Sequence, residues 1–220
     1  MSKNTLSVEK SEIAKGRSYV YHLLAMLYLQ EITAETLTIL RNKEVVDTLA
    51  GLGLDVNYIS PDVPQERLLN DLAEEYAALF VVSGGIPPYE SARLKGLLCQ
   101  EPASEVEEFY RRCGLVVKED CGIIPDHLGM EMEFMGYLAS RESDAWKAGD
   151  EKTAIEWSDR QREFFASHIN NWVFDFLKDL ERLALHPFYR DMGRLTQRFL
   201  ETEQGYLESK NPMVEDEKWV

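Results

Sequence analysis

His127 and Glu131 stand four residues apart, just after Asp126, in the run Pro125-Asp126-His127-Leu128-Gly129-Met130-Glu131. On a helix that spacing lets an imidazole and a carboxylate meet on one face. Such a pair can move a proton or offer two ligands to a metal. A second polar run, Pro87-Pro88-Tyr89-Glu90-Ser91, presents an aromatic ring and an acid behind two backbone-stiffening prolines. Both runs put turn residues, aromatics and acids at element boundaries, where binding side chains concentrate.

The elements that must position these groups read as helices. Asp126 is a good N-cap for a helix that continues through Arg141 and Trp146 to about Ala148. Leu128, Met132, Met135 and Ala139 make one stripe on it, and Met130, Phe134, Tyr137 and Leu138 cover much of the rest. A helix apolar on nearly every side belongs in the interior, so its polar residues need partners or a purpose.

Upstream, a helix from about Leu6 to Gln30 carries Ile13, Val20, Leu24 and Leu27 on one face. Thr33 caps a short helix with Leu37 and Leu40, and a second short one runs through Val45, Val46 and Leu49. From about Gln65 the pattern Leu68, Leu69, Leu72, Tyr76, Leu79, Phe80 marks a strong helix that ends at Ser83-Gly84-Gly85. Another begins near Pro102, with Val106, Phe109, Tyr110 and Cys113 at helical spacing. The stretch from Leu115 to Ile124 reads as a loop, since no second strand pattern could pair with it. Asp150 caps a helix carrying Ala154, Trp157, Gln161, Phe164 and Phe165; the pattern shifts near Ser167-His168 and resumes through Trp172, Phe176 and Leu180. Pro187 breaks it, and Met192, Leu195 and Phe199 organise a last helix. The expectation is an all-α protein, a single helical domain over residues 1–207 with a hinge at 114–125 and a charged, disordered tail at 208–220.

Thirty-nine acidic against 24 basic side chains give the 220 residues a formal charge of −15. That surface repels nucleic acid and anionic membranes and favours a basic partner. Three cysteines, Cys99, Cys113 and Cys121, without a Cys-x-x-Cys pair, speak for a reducing compartment. The most apolar early stretch, Tyr19 to Leu29, is too short to span a bilayer, so a soluble cytoplasmic protein is expected. Familiar active-site patterns are missing: the dipeptide Gly-Lys never occurs, no Gly-x-Ser-x-Gly elbow exists, and Gly51-Leu52-Gly53 lacks the third glycine of a dinucleotide turn. None of His22, His127, His168 and His186 has an acid three positions earlier, as a di-iron bundle requires. No catalytic residue, metal or cofactor is therefore expected. The alternative is a helical-bundle enzyme using His127 with Glu131 or Asp126 as an acid–base or metal-binding pair.

The two runs together, in this order, resemble the TorD/DmsD/NarJ family of redox-enzyme maturation chaperones. That family's blocks read as aromatic-x-x-Leu-Phe followed by Pro-Pro-Tyr-Glu-Ser, then Pro-Asp-His-hydrophobic-Gly-x-Glu. Here Tyr76, Leu79, Phe80, Pro87, Pro88, Tyr89, Glu90, Ser91 and the run from Pro125 to Glu131 match, with Tyr76 where some members carry tryptophan. The resemblance spans Arg17 to Phe199 by helix pattern and implies a TorD-like fold of about eight to eleven helices. It implies no catalysis, but a cytoplasmic chaperone that binds the apo catalytic subunit of a molybdopterin oxidoreductase. Recognition would be by a twin-arginine leader peptide or the subunit's body, and cofactor insertion and assembly would precede export. The partner-binding residues it implies are Tyr76, Leu79, Phe80, Pro87, Pro88, Tyr89, Glu90, Asp126, His127 and Glu131. An arginine pair needs desolvated carboxylates, which Glu90, Asp126 or Glu131 would supply, and a leader's apolar stretch needs an adaptable greasy lining of tyrosine, phenylalanine and methionine. Monomer and homodimer are both compatible with it.

Overall fold

The chain was analysed as a computed structural model, which describes residues 3–51, 53–118 and 122–209. The described residues are helical, with one isolated β-bridge, and they pack as two compact units. Most of the expected tail lies outside the described residues; its first two positions, Glu208 and Ser209, are still helical. Three positions of the expected hinge, 119–121, also lie outside them.

The first unit holds the described residues within 1–29, 89–173 and 199–220. Its helices are α1 (Lys3–Leu29), α5 (Glu90–Lys95), α6 (Glu101–Arg112), α7 (Leu128–Lys147) and α8 (Glu151–Phe164), followed by a π-turn at Phe165–Ile169. It also takes the start of α9 (Asn170–Leu183) and the end of α10 (Pro187–Ser209). The apolar wrap of α7 makes it the core: Leu128, Met132, Phe134, Met135, Leu138 and Ala139 are all buried. Each of the larger of these side chains contributes roughly 1.5–3 kcal/mol by leaving water.

Helix α1 lies antiparallel along α7, fastened by small polar residues. Ser7, Ser11 and Ser18 donate their hydroxyls to the carbonyls of Trp146, Ser143 and Gly136 at 2.6, 3.1 and 2.8 Å. Small side chains let the backbones approach. A Cβ at Gly136 would sit 2.8–3.0 Å from the His22 ring, so glycine there sets the helix spacing. Arg17 extends from α1 into a buried polar cluster. Its guanidinium grips both oxygens of Glu203 at 2.7–3.0 Å and reaches Glu142 at 3.1 Å and Gln161 at 2.7 Å. Three helices beside α1 are thereby tied to one side chain.

The second unit holds residues 30–88 and 174–198. It contains α2 (Ala34–Leu40), α3 (Lys43–Gly51), a 3₁₀ turn (Asn57–Ile59), α4 (Gln65–Tyr76) and a π-turn at Ala77–Val81. The rest of α9 and of α10 complete it. Thr33 caps α2 as expected, its hydroxyl accepting from the Thr36 amide. Glu75 does the same for the approach to α10, accepting the Leu185 and His186 amides. The widened turn after α4 is held from outside: Ile86 donates its amide to the Leu79 carbonyl at 2.6 Å. A Cβ on Gly85 would come within 2.4 Å of that carbonyl oxygen, so only glycine fits there.

Candidate partner-binding site

The two polar runs meet within the first unit, where Tyr89-Glu90-Ser91 lies against Asp126-His127. Tyr89 is extended and forms the isolated antiparallel bridge with His127, and Glu90 donates its amide to the Asp126 carbonyl at 3.0 Å. The Tyr89 and His127 rings stand edge to face, with centroids 4.8 Å apart. Tyr110 braces the second run, its hydroxyl donating to the Pro125 carbonyl at 3.0 Å.

Two local roles differ from the sequence expectation. Asp126 is not the N-cap of α7; His127 is, with its Nδ1 accepting from the Gly129 amide at 2.9 Å. Asp126 instead turns its Oδ2 to the Ser91 amide at 2.7 Å, capping the first turn of α5 from another part of the chain. Aspartate is the preferred capping type, but the bridge between Tyr89 and His127 holds Asp126 beside α5 and leaves the cap of α7 to His127. Nor do His127 and Glu131 pair. His127 precedes the helix in extended backbone with its acceptor nitrogen committed, and Glu131 accepts from the Trp172 indole at 3.3 Å. Burial holds the His127 imidazole down at about 4, so it is a neutral acceptor at ordinary pH.

The carboxylates expected to meet an arginine face inward. Glu90, Asp126 and Glu131 are 2%, 0% and 0% exposed. Glu90 pairs with His168 Nδ1 at 2.9 Å, between α5 and the π-turn that precedes α9. Burial raises both glutamates above the usual carboxylate range, with His168 opposing the shift on Glu90 and the charges of Glu90 and Asp126 adding to that on Glu131. Three buried oxygens, Ser91 Oγ, Asp126 Oδ1 and Glu131 Oε1, have no hydrogen-bond partner among the described residues. His168 also lies on the wall of an open groove of about 730 Å³, rimmed by Glu101, Glu105, Glu108 and Glu163 with Arg112 among them.

The remaining expected residues belong to the second unit. Tyr76, Leu79 and Phe80, implied as partner-binding residues, are buried in the core: Phe80 packs on Tyr76, Phe176 and Tyr189 with centroids 5.1–6.2 Å apart. Through these rings Phe80 faces both α9 and α10. Pro88 is buried, Pro87 is exposed and Tyr89 is half-buried. Sequence reasoning missed His168 and Trp172, the partners of the two buried glutamates. The only local trace of them is the break in periodicity at Ser167-His168, which is the π-turn.

Residues 43–178, a span containing both polar runs, match the protein family described as nitrate reductase delta subunit. The chain is 25% identical to the chaperone protein TorD of Shewanella pealeana, over 94% of this chain and 96% of that one. It is 26% identical to the chaperone protein TorD of Vibrio parahaemolyticus, over 87% and 94%. Among solved structures, a proposed redox enzyme maturation protein from Archaeoglobus fulgidus shares the fold, with a TM-score of 0.54 at 19% identity over 84% of this chain and 93% of that one.

Proposed function

The chain belongs to the nitrate reductase delta subunit family, and from that membership we propose that it is a redox-enzyme maturation chaperone with no catalytic step of its own. In this reading it binds the apo catalytic subunit of a molybdopterin oxidoreductase in the cytoplasm, by a basic leader peptide and by the subunit's body. It holds the subunit while the cofactor is inserted and the complex assembled, before export. The absence of a membrane-crossing helix among the described residues is compatible with that setting.

One observation carries the reading: two runs distant in sequence are clasped through Asp126, which leaves Tyr89 half-exposed while the neighbouring acids are buried. A stiff segment presenting an aromatic ring loses little entropy on binding. Tyr89 is then the contact residue, while Asp126 and His127 hold its segment in place. The alternative, an enzyme built on His127 with Glu131 or Asp126, finds no support in the geometry, because His127 bonds to neither carboxylate in this structure.

The test is to identify the large subunit that co-purifies and to read its N-terminus for paired arginines. Its leader peptide is then titrated calorimetrically against the native protein and Tyr89→Ala. Binding lost in the variant at an unchanged melting temperature is expected. Unchanged binding would remove Tyr89 from the site, and failure to capture any redox-enzyme subunit would sink the chaperone reading.

A further inference from the structure

The carboxylate oxygens beneath Tyr89 outnumber their donors. Glu90 has His168, Asp126 has the Ser91 amide and Glu131 has the Trp172 indole, each on a single oxygen. Asp126 Oδ1 and Glu131 Oε1 are left without a donor, fully buried, and Ser91 Oγ beside them is also unpartnered. Tyr110 cannot help, since its hydroxyl is spent on the Pro125 carbonyl.

The partners that Glu90 and Glu131 reach, His168 and Trp172, stand four residues apart, and the Glu90 charge bears on the Glu131 carboxyl. Two carboxylates cannot share a hydrogen bond unless one carries a proton. The charges facing this pair give no relief. From α6 comes Glu105, from the lead-in to α7 comes Asp126, and the one facing base is His168 on the π-turn. Tyr89, Tyr110 and Trp172 are neutral, and so is His127, whose imidazole is held down by burial. Two or three buried negative charges against at most one imidazolium is an arrangement that takes up a proton instead.

We infer that Glu90 and Glu131 hold one proton between them beneath Tyr89, and that docking of a cationic client segment at this site expels it to solvent. The inference rests on the proposed chaperone reading and adds its chemistry. The proton is the resident cation of an acidic site closed by Tyr89 and the six-residue helix α5. A guanidinium entering as α5 shifts supplies the compensating charge, and the carboxylic acid then ionises. Charge in the site is conserved: one cation enters and one proton leaves. The orphaned oxygens of Ser91, Asp126 and Glu131 are the acceptors that a multi-donor guanidinium would satisfy and a proton alone does not.

Two measurements decide it. Carbon-13 NMR of glutamate-labelled free protein at pH 7 is expected to show one protonated glutamic acid, absent in Glu131→Gln and in Glu90→Gln. Both variants are used, so that one failing to fold still leaves the other. A spectrum with every glutamate ionised at pH 7 overturns the shared proton, whatever any peptide does. Next, a synthetic peptide with two adjacent arginines before an apolar stretch is titrated calorimetrically in buffers of differing ionisation enthalpy. Release of about one proton per peptide bound is expected for the native protein and none for Glu131→Gln. Binding whose enthalpy is independent of buffer overturns the exchange while the chaperone reading stands. A peptide that does not bind counts against leader recognition and takes the exchange with it, leaving the shared proton to the first measurement.

Discussion

The backbone amide of Ser91 ends on the carboxylate of Asp126, 35 residues further along the chain and 2.7 Å away. One side chain thus caps a short helix to which it does not belong and anchors the segment presenting Tyr89. Helix α5 is only six residues long, too short to persist without outside help.

Asp126→Ala should therefore lower stability by about 0.5–2 kcal/mol, the usual loss of a side-chain cap. Asp126→Asn keeps an acceptor oxygen for the Ser91 amide and should lose less. Urea unfolding of both variants is the check. Equal losses would mean that the carboxylate's charge matters more than its bond to Ser91.

Stability should depend on pH with two opposing limbs. The folded-state value of His127 is depressed from 6.5 to about 4, so the folded protein resists protonating it. That contribution is present above pH 6.5 and is lost as pH falls toward 4. The values of Glu90 and Glu131 are raised, so their contribution is full below their ordinary 4.5 and is lost as pH rises through the folded-state values. A urea midpoint measured across pH should fall on both sides of a mildly acidic maximum. His127→Asn should flatten the acid limb and Glu131→Gln the other; a profile the substitutions leave unaltered would show that these groups do not set it.

Arg17 is joined to Glu203 across 186 residues and to Glu142 across 125, all of them buried. Arg17→Met leaves two carboxylates uncompensated and should cost about 3–5 kcal/mol. Adding Glu203→Leu should recover part of that loss, because the orphaned charge goes with it. A double variant no more stable than Arg17→Met would mean that Glu203 is not the main burden.

Gly85→Ala should destabilise the second unit by about 1–3 kcal/mol, as overpacking typically does. Its Cβ would meet the Leu79 backbone oxygen, which cannot swing aside as a side chain would. Hydrogen exchange at the Ile86 amide, bonded to that oxygen, should rise in the variant. A melting temperature within error of the native protein's would show that the π-turn yields freely.

Association with a basic leader peptide should weaken as salt rises, mainly through a slower on-rate, given a formal charge of −15. Stopped-flow mixing at low and high ionic strength measures it. An on-rate independent of salt would point to an interface dominated by apolar contact.

Most of the longer helices were legible in the sequence because the signals that make them are local. Apolar spacing along Leu68, Leu72 and Tyr76 is set by the 3.6-residue turn, and Thr33 and Asp150 accept amides three residues away. The buried course of α7 and the irregularity at Ser167-His168 could be read the same way. Both runs read as boundary segments rich in polar groups that a core cannot use, and the structure sets Tyr89 against His127. What each polar side chain bonds to was decided by the tertiary structure alone. Asp126 and His127 are both capable caps, and only the placement of α5 assigns one to Ser91 and the other to Gly129. Glu131 stands at helical spacing from His127, yet it turns to Trp172, while Glu90 finds His168. A local pattern specifies which face of a helix is apolar, because it depends on one chain's own geometry. The partner of a buried charge depends on which distant element covers it, and spacing along the chain carries no record of that.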